Sequence, residues 1–186
     1  MVGDMGKEKL VKELMVPLSD YALVNENETV AEAIAYLRKR RKEFTHGKHM
    51  PRALLVLNSA GKVVGQLEYS DFIKALEPKY AHLGDLGTLA RAGISNELVN
   101  SMMENLKFWE SSLEDACRRI GGLKVNALAR PIAESIDENE TLQMAIHKVL
   151  LMQAMRIPVT RREEVVGVLR MADIFDEIST YIESRD

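Results

Sequence analysis

The sequence has one cysteine, Cys117, and no run of apolar residues approaching the ~20 that a membrane-spanning helix requires. A single cysteine excludes a disulfide within the chain and fits a reducing compartment. The first ten residues, MVGDMGKEKL, lack the apolar core of a secretory signal. We therefore expect a cytoplasmic protein without a membrane segment.

The sequence also lacks a large excess of charge of either sign, since 28 Asp and Glu residues face 25 Lys and Arg residues. The net charge of −3 indicates neither a nucleic-acid partner nor a membrane surface. Basic residues nevertheless concentrate in residues 38–52, RKRRKEFTHGKHMPR. This stretch has three interpretations: the solvated end of a helix, a source of attraction for phosphate near a cleft, or a weak nucleic-acid contact. Phe44 alone makes a poor stacking platform, so nucleic acid is the least favoured of the three.

The motifs of the common catalytic sites are missing as well. The sequence contains no GxxxxGK[ST] phosphate loop, no GxSxG nucleophile elbow and no HExxH zinc motif. His46 and His49 are three residues apart, but no further ligand accompanies them, and we predict no metal site. These absences indicate that the chain is not an enzyme.

What the sequence does contain is a repeat. ENETV at 26–30 reappears as ENETL at 138–142, and each is followed by apolar residues at helical spacing. Thr29 is predicted to cap the first helix, with Glu32 completing a capping box, and Thr141 to cap the second.

A second pair of segments extends the repeat. VVGQLEYSDFIKAL at 63–76 matches VVGVLRMADIFDEI at 165–178, each read as a strand, a turn to an aspartate and an amphipathic helix. A further strand precedes each (RALLVL and RIPVT), and a proline segment lies upstream of each ENET. Gly65 and Gly167 in these strands either relieve strand packing or let a ligand approach the backbone.

The expected fold class is therefore α+β: two β-α-β-β-α repeats packed as a pseudo-two-fold pair. A single copy would leave an apolar face uncovered, and a second copy can cover it. We divide the chain into a first repeat at 10–77, an inserted helical segment at 78–124 and a second repeat at 125–186.

The inserted segment is predicted to contain two helices that cover a face of the pair or form a dimer contact. The first carries an apolar stripe at Leu98, Met102, Leu106 and Trp109. A capping box from Ser111 to Glu114 is predicted to start the second helix. That helix is expected to bury one face, formed by Leu113, Ala116, Cys117 and Ile120, and Cys117 is expected to be inert.

The segments at 63–71 and 165–173, with Arg156-Ile157-Pro158-Val159, resemble the CBS (cystathionine-β-synthase-type) domain. Such domains occur in tandem pairs called Bateman modules. The resemblance rests on the order, spacing and duplication of the motifs. It implies a regulatory module that binds an adenosine-containing ligand between the repeats, either an adenine nucleotide (AMP, ADP or ATP) or S-adenosylmethionine. It also implies a homodimer that signals to an unidentified protein partner.

By the same resemblance, Asp71 and Asp173 take the position of the aspartate that accepts hydrogen bonds from ribose hydroxyls. Glu68 and Arg170 replace the family's hydroxyl residue. Because Arg170 could grip a phosphate and Glu68 would repel one, we favour the cleft containing Asp173 and Arg170. The remaining residues predicted to line the ligand site are apolar: Leu55, Ile132, Ile157 and Pro158.

Two alternatives remain open. Each aspartate precedes an apolar helix and could serve only as its cap, although a helix start that is capped can still attract an anion. The chain could also be a dimeric scaffold or interaction module whose clefts bind nothing.

Overall fold

The computed structural model describes residues 8–43, 53–79, 95–105 and 110–184. Its strands are β1 (Val16–Pro17), β2 (Leu23–Asn25), β3 (Ala53–Leu57), β4 (Val63–Glu68), β5 (Arg130–Pro131), β6 (Ile136–Asp137), β7 (Arg156–Arg161) and β8 (Glu164–Arg170). Its α-helices are α1 (Val30–Glu43), α2 (Tyr69–Leu76), α3 (Asn96–Asn105), α4 (Leu113–Gly121), α5 (Leu142–Met152) and α6 (Met171–Glu183). Single 3-10 turns form at Val11–Glu13, Leu18–Asp20 and Val125–Ala127.

The strands form two sheets of four with the same internal pattern. In one, β2 runs parallel to β3 and β3 pairs antiparallel with β4. In the other, β6 runs parallel to β7 and β7 pairs antiparallel with β8. Helices follow the strands in the order that the sequence predicts. The α+β class and the duplication are therefore confirmed.

The fourth strand of each sheet comes from the other repeat. β1 pairs antiparallel with β8, and β5 pairs antiparallel with β4. The two prolines occupy matching places, since Pro17 lies opposite Gly167 and Pro131 lies opposite Gly65. These edge positions suit proline, which has no N–H to donate. The short proline segments noted in the sequence are thus exchanged between the repeats.

The exchange begins just before these strands, at the ENET segments. The Val11 N–H donates to the Glu140 carbonyl, and the Val125 N–H donates to the Glu28 carbonyl, both at 2.9 Å. The side chains of Val11 and Val125 are fully buried, each in the core of the opposite repeat. The repeated pentad therefore starts a helix and also provides the carbonyls that hold the exchanged segment.

Both predicted helix caps are present. The Glu32 N–H donates to Thr29 Oγ1 at 3.2 Å, while Glu32 Oε2 accepts from the Thr29 N–H at 2.7 Å. In the second copy, the Met144 N–H donates to Thr141 Oγ1 at 3.2 Å. The first helix thus has the reciprocal capping box and the second has half of it, as their sequences predict.

Three apolar clusters hold the fold together. Each repeat has a core between its sheet and its helices. A third cluster joins the two sheets and is built around Val16, Tyr21, Leu55 and Val168. The repeats therefore touch through buried side chains. Each core also contains a valine from the other repeat, Val125 in the first core and Val11 in the second. The division at 10–77, 78–124 and 125–186 therefore stays a prediction.

In the inserted segment, α4 packs against α1 and α2, so this helix covers the first repeat as expected. Its predicted buried face is partly wrong. Ala116 and Ile120 are buried, but Leu113 is 59% exposed and Cys117 is exposed. The cap is Ser112, whose hydroxyl accepts from the Asp115 N–H, and this lies one residue after the predicted cap. Leu113 and Cys117 thus lie at the edge of the apolar stripe that is not covered by the first repeat.

Helix α3 is present as predicted, and Leu98 on it is 52% exposed. Leu106 and Trp109 of the predicted stripe lie outside the described residues, as do His46, His49 and the part of the basic stretch beyond Glu43.

The glycines of β4 and β8 permit the strand exchange. A Cβ on Gly167 would lie 2.6 Å from the Val16 carbonyl oxygen, and one on Gly65 would lie 2.9 Å from the Arg130 carbonyl oxygen. Both distances are shorter than real Cβ contacts allow. Of the two readings of these glycines, close strand packing is therefore the one realised here.

We predict that Gly167→Ala will lower the free energy of unfolding by about 1–3 kcal/mol, because the added methyl group must push β1 away from β8. Gly121→Ala is the matched control. A Cβ there would meet only Ala31 at an ordinary 3.7 Å. Urea denaturation of both variants measures the effect, and equal stabilities would contradict this account of the exchange.

Candidate ligand-binding cleft

The two predicted aspartates occupy matching places at the starts of α2 and α6. Asp71 and Asp173 each lie in the first turn of their helix, at the third helical position. The residues that directly precede the two helices are Glu68 and Arg170, the two charged residues predicted to stand in place of the family's hydroxyl residue. Both side chains that carry the predicted ribose contact are nearly buried, with 8% of Asp71 and 10% of Asp173 exposed.

Asp71 has two partners. Its Oδ2 accepts a hydrogen bond from the Glu68 N–H at 2.7 Å, so it caps α2. Its Oδ1 lies 2.8 Å from Nε of Arg130, which arrives on the exchanged strand β5. The capping role proposed for this aspartate is therefore present, and its second oxygen is held by an arginine from the other repeat.

Asp173 is paired with Arg170. Arg170 Nε donates to Asp173 Oδ2 at 2.6 Å, and its Nη2 donates to Oδ1, which makes a bidentate ion pair. The carboxylate raises the pKa of the Arg170 guanidinium, against the opposing effect of burial. The two residues expected to contact a ligand in this cleft thus contact each other in this structure.

Glu68 connects the repeats. Its Oε1 accepts from Arg156 Nη1 at 2.9 Å, and its Oε2 lies 3.5 Å from Arg130 Nη2. Both guanidinium groups belong to the second half of the chain. Arg156 is in turn opposite Arg170 in the β7–β8 register. Ion pairs and one cross-strand pair of arginines thus connect the start of α2 to the start of α6. We call these six residues the charge row: Asp71, Arg130, Glu68, Arg156, Arg170 and Asp173.

Tyr21 lies beneath the charge row. Its side chain is 7% exposed and belongs to the apolar cluster between the sheets. Burial raises the pKa of the Tyr21 phenol, and the Arg156 guanidinium opposes that effect. Tyr21 thus belongs to the apolar cluster between the sheets and is also close enough to Arg156, Glu68 and Arg170 for their charges to act on its phenol.

The predicted apolar residues fall into two groups. Leu55 is 1% exposed and lies in the cluster between the sheets, and Pro158, its counterpart in the second repeat, is buried. Ile157 is fully buried in the core of the second repeat. Ile132 is half-buried directly after β5. Leu55 therefore packs in the cluster that joins the repeats, and Pro158 lies opposite Val168 of the same cluster.

The Leu55 and Pro158 positions differ for a chemical reason. The Leu55 N–H donates to the Ala22 carbonyl at 3.0 Å, which extends the pairing of β2 with β3. Proline has no N–H to make the corresponding bond. β6 accordingly pairs over two residues, whereas β2 pairs over three. The second repeat thus has a shorter strand beside its cleft.

A family model for the CBS domain matches residues 11–78 and 125–180, which are two thirds of the chain. The chain belongs to the CBS domain family. No curated protein matches the sequence.

Solved structures show the same architecture. CBSX2 from Arabidopsis thaliana has a TM-score of 0.59 and 15% identity, with 95% of this chain and 99% of that chain covered. A structure of CBSX2 in complex with AMP has a TM-score of 0.58 and 16% identity, covering 92% and 97%. The CBS domain of a membrane protein from Sphaerobacter thermophilus has a TM-score of 0.58 and 15% identity, covering 91% and 87%. At these identities the likeness establishes the fold of a CBS pair.

Three members of the site were missed in the sequence: Tyr21, Arg130 and Arg156. Arg156 directly precedes the predicted Ile157, and Arg130 stands in a proline segment already noted, so both were within reach. Their roles depend on contacts across the two repeats, which sequence periodicity does not show. Tyr21 lies in a loop between Pro17 and β2 that is longer than its counterpart after Pro131.

Within residues 8–43, 53–79, 95–105 and 110–184, no group of three or more His, Cys, Asp and Glu residues could hold a metal ion. No helix among the same residues is long and apolar enough to cross a membrane.

We predict that Tyr21 ionises above the ordinary tyrosine pKa of 10.0, because burial disfavours its phenolate. A raised pKa in the folded state means that its contribution to stability is complete below pH about 10 and is lost as the pH rises through the higher value. Ultraviolet absorbance measured against pH should contain a late phenolate component that Tyr21→Phe removes. Tyr181→Phe, at a 49% exposed position, is the control that should retain it.

Proposed function

We propose that this CBS pair is a regulatory module that binds an adenosine-containing ligand in the cleft between its repeats. The ligand is AMP, ADP, ATP or S-adenosylmethionine. The observation that carries the proposal is the charge row, in which two nearly buried aspartates and three arginines meet at the junction of the two repeats. Carboxylates accept from ribose hydroxyls and guanidinium groups bind phosphates, so both halves of a nucleotide have partners.

In the favoured cleft, Asp173 accepts hydrogen bonds from the ribose and Arg170 turns its two-pronged guanidinium to a phosphate. Both groups are already close together, at the start of α6, where backbone N–H groups also favour an anion. Ligand binding exchanges the ion pair between them for two contacts with the ligand. Hydrogen bonds to charged groups contribute about 1.5–3 kcal/mol each, which is a useful share of micromolar affinity.

The CBSX2 structure in complex with AMP supports the ligand class, since that protein has the fold of this chain. The strand exchange supports the mode of signalling. A ligand that favours one arrangement of the cleft acts on both repeats, because each sheet contains strands from the first repeat and from the second. The ligand would then shift the population of two arrangements in proportion to its difference in affinity for them. The role is regulatory and not catalytic.

One observation favours the alternative, a scaffold with clefts that bind nothing. Arg170 and Asp173 already bind each other, and Glu68 already holds Arg130 and Arg156. A cleft whose charges are paired internally gains less from a ligand. Ligand binding distinguishes the two functions.

We predict that AMP, ADP, ATP or S-adenosylmethionine will raise the melting temperature, and that one of them at 100 times its dissociation constant will add about 2.7 kcal/mol to the free energy of unfolding. Asp173→Ala should abolish the rise, because it removes the ribose acceptor. Asp173→Asn retains the shape of the side chain and guards against a variant that folds poorly. Asp71→Ala is the matched control, since it alters the equivalent residue of the other repeat.

If none of the four compounds changes the melting temperature, the result contradicts the ligand-binding function and favours the scaffold function. If Asp71→Ala abolishes the rise and Asp173→Ala does not, the ligand occupies the other cleft.

We also propose that the module is a homodimer. Its outer helices carry large apolar side chains that water reaches: Phe175 and Ile182 on α6 are 66% and 68% exposed, and Leu151 on α5 is 71% exposed. Ile73 on α2 occupies the position of Phe175 and is also 66% exposed. Apolar surface of this kind marks an interaction site, and its presence in both repeats suits a second copy of the chain.

We predict that Phe175→Glu will convert the dimer to a monomer, as measured by light scattering after gel filtration, because it places a charge in a desolvated contact. Leu113→Glu is the control, since Leu113 is 59% exposed on the inserted helix α4. Dissociation by Leu113→Glu alone would assign the dimer contact to the inserted segment instead.

A further inference from the structure

Glu68 is one of the residues through which the first repeat holds the second. A single carboxylate, 26% exposed, lies between the guanidinium groups of Arg156 and Arg130. The Arg156 side chain is 16% exposed and the Arg130 side chain is 49% exposed. Two guanidinium groups converging on one pair of oxygens is the arrangement with which proteins bind a phosphate. Here the anion is part of the chain.

The need for that anion follows from the β7–β8 pairing. Arg156 and Arg170 are direct cross-strand partners, and like charges in such positions destabilise a sheet. Each therefore has its own carboxylate. Asp173 pairs with Arg170 from the same repeat, and Glu68 pairs with Arg156 from the other.

The charges of the row balance. Its three carboxylates and three guanidinium groups sum to zero, so a ligand with several negative charges finds no net attraction in it. A polyphosphate could reach Arg130 and Arg156 only by displacing Glu68. The displaced carboxylate would then stand beside the phosphates without its partners, which opposes binding.

We propose that Glu68 is a specificity-determining residue that occupies the position of a phosphate group and restricts the site to adenosine compounds with no more than one phosphate. The inference rests on the proposed function, because Glu68 belongs to the same charge row as Asp173 and Arg170. It adds which ligands the row selects, and it assigns a purpose to the carboxylate that precedes α2.

The experiment compares the wild type with Glu68→Gln by isothermal titration at fixed ionic strength, using AMP, ATP and inorganic tripolyphosphate. Glu68→Gln retains the length of the side chain, replaces one acceptor oxygen by an NH2 donor and leaves the row with a net charge of +1. We expect the wild type to favour AMP over ATP, and the variant to raise the ratio of ATP to AMP affinity about tenfold or more. Tripolyphosphate should bind the variant at least about tenfold more tightly than the wild type.

Glu164→Gln is the matched control. Glu164 also forms an ion pair between the repeats, with Lys62 at 3.2 Å, but both side chains are about 70% exposed. This variant changes the total charge of the chain equally without touching the row. If it changes the affinities as much as Glu68→Gln, the effect comes from total charge and the proposal is wrong.

A ratio of ATP to AMP affinity that Glu68→Gln leaves unchanged also overturns the proposal. If the wild type binds neither nucleotide, and ADP and S-adenosylmethionine do not bind either, the proposed function fails. The gain of tripolyphosphate binding in Glu68→Gln still decides whether Glu68 holds a phosphate position. Should Glu68→Gln fold less well, tripolyphosphate is expected to raise its melting temperature more than that of the wild type. An equal rise in both proteins counts against the inference.

Discussion

The structure depends on the reciprocal exchange of two short segments between the repeats. Each segment inserts a fully buried valine into the opposite core and then adds an edge strand to the opposite sheet. The backbone hydrogen bonds are the same on both sides, since equivalent carbonyls of the two ENET segments accept them. Neither repeat can therefore complete its sheet or its core alone. Duplication of the unit is a requirement of the fold.

The same exchange builds the site. β5 belongs to the second half of the chain but lies in the sheet of the first, and it carries Arg130 to the carboxylates of Asp71 and Glu68. Arg156 reaches Glu68 from the other side. The charge row is therefore composite, and any change in the relative position of the repeats changes its distances. Tyr21, buried below, ties the row to the apolar contact between the sheets.

The sequence predicted what depends on local chemistry. Thr29 and Thr141 cap their helices because a hydroxyl at that position meets a free N–H, and the aspartates lie at helix starts for a related reason. It did not predict what depends on distant contacts. Gly167 was consistent with two interpretations until its distance to Val16 was known. Which part of the apolar stripe on α4 is buried also depends on distant contacts: Ala116 and Ile120 face the first repeat, whereas Cys117 on the same stripe is exposed.

The two repeats have the same backbone pairing, but their charged side chains are arranged differently. The register places Ala53 opposite Glu68 where the second repeat places Arg156 opposite Arg170. Strand pairing does not require either arrangement, since both copies form the same hairpin. The pairing of side chains differs, because alanine at position 53 adds no charge opposite Glu68, and Glu68 pairs with Arg156 of the other repeat. An alanine at position 53 and a carboxylate at position 68 thus form one solution across the pseudo-two-fold axis. The two clefts are consequently different in charge although they are built on the same fold.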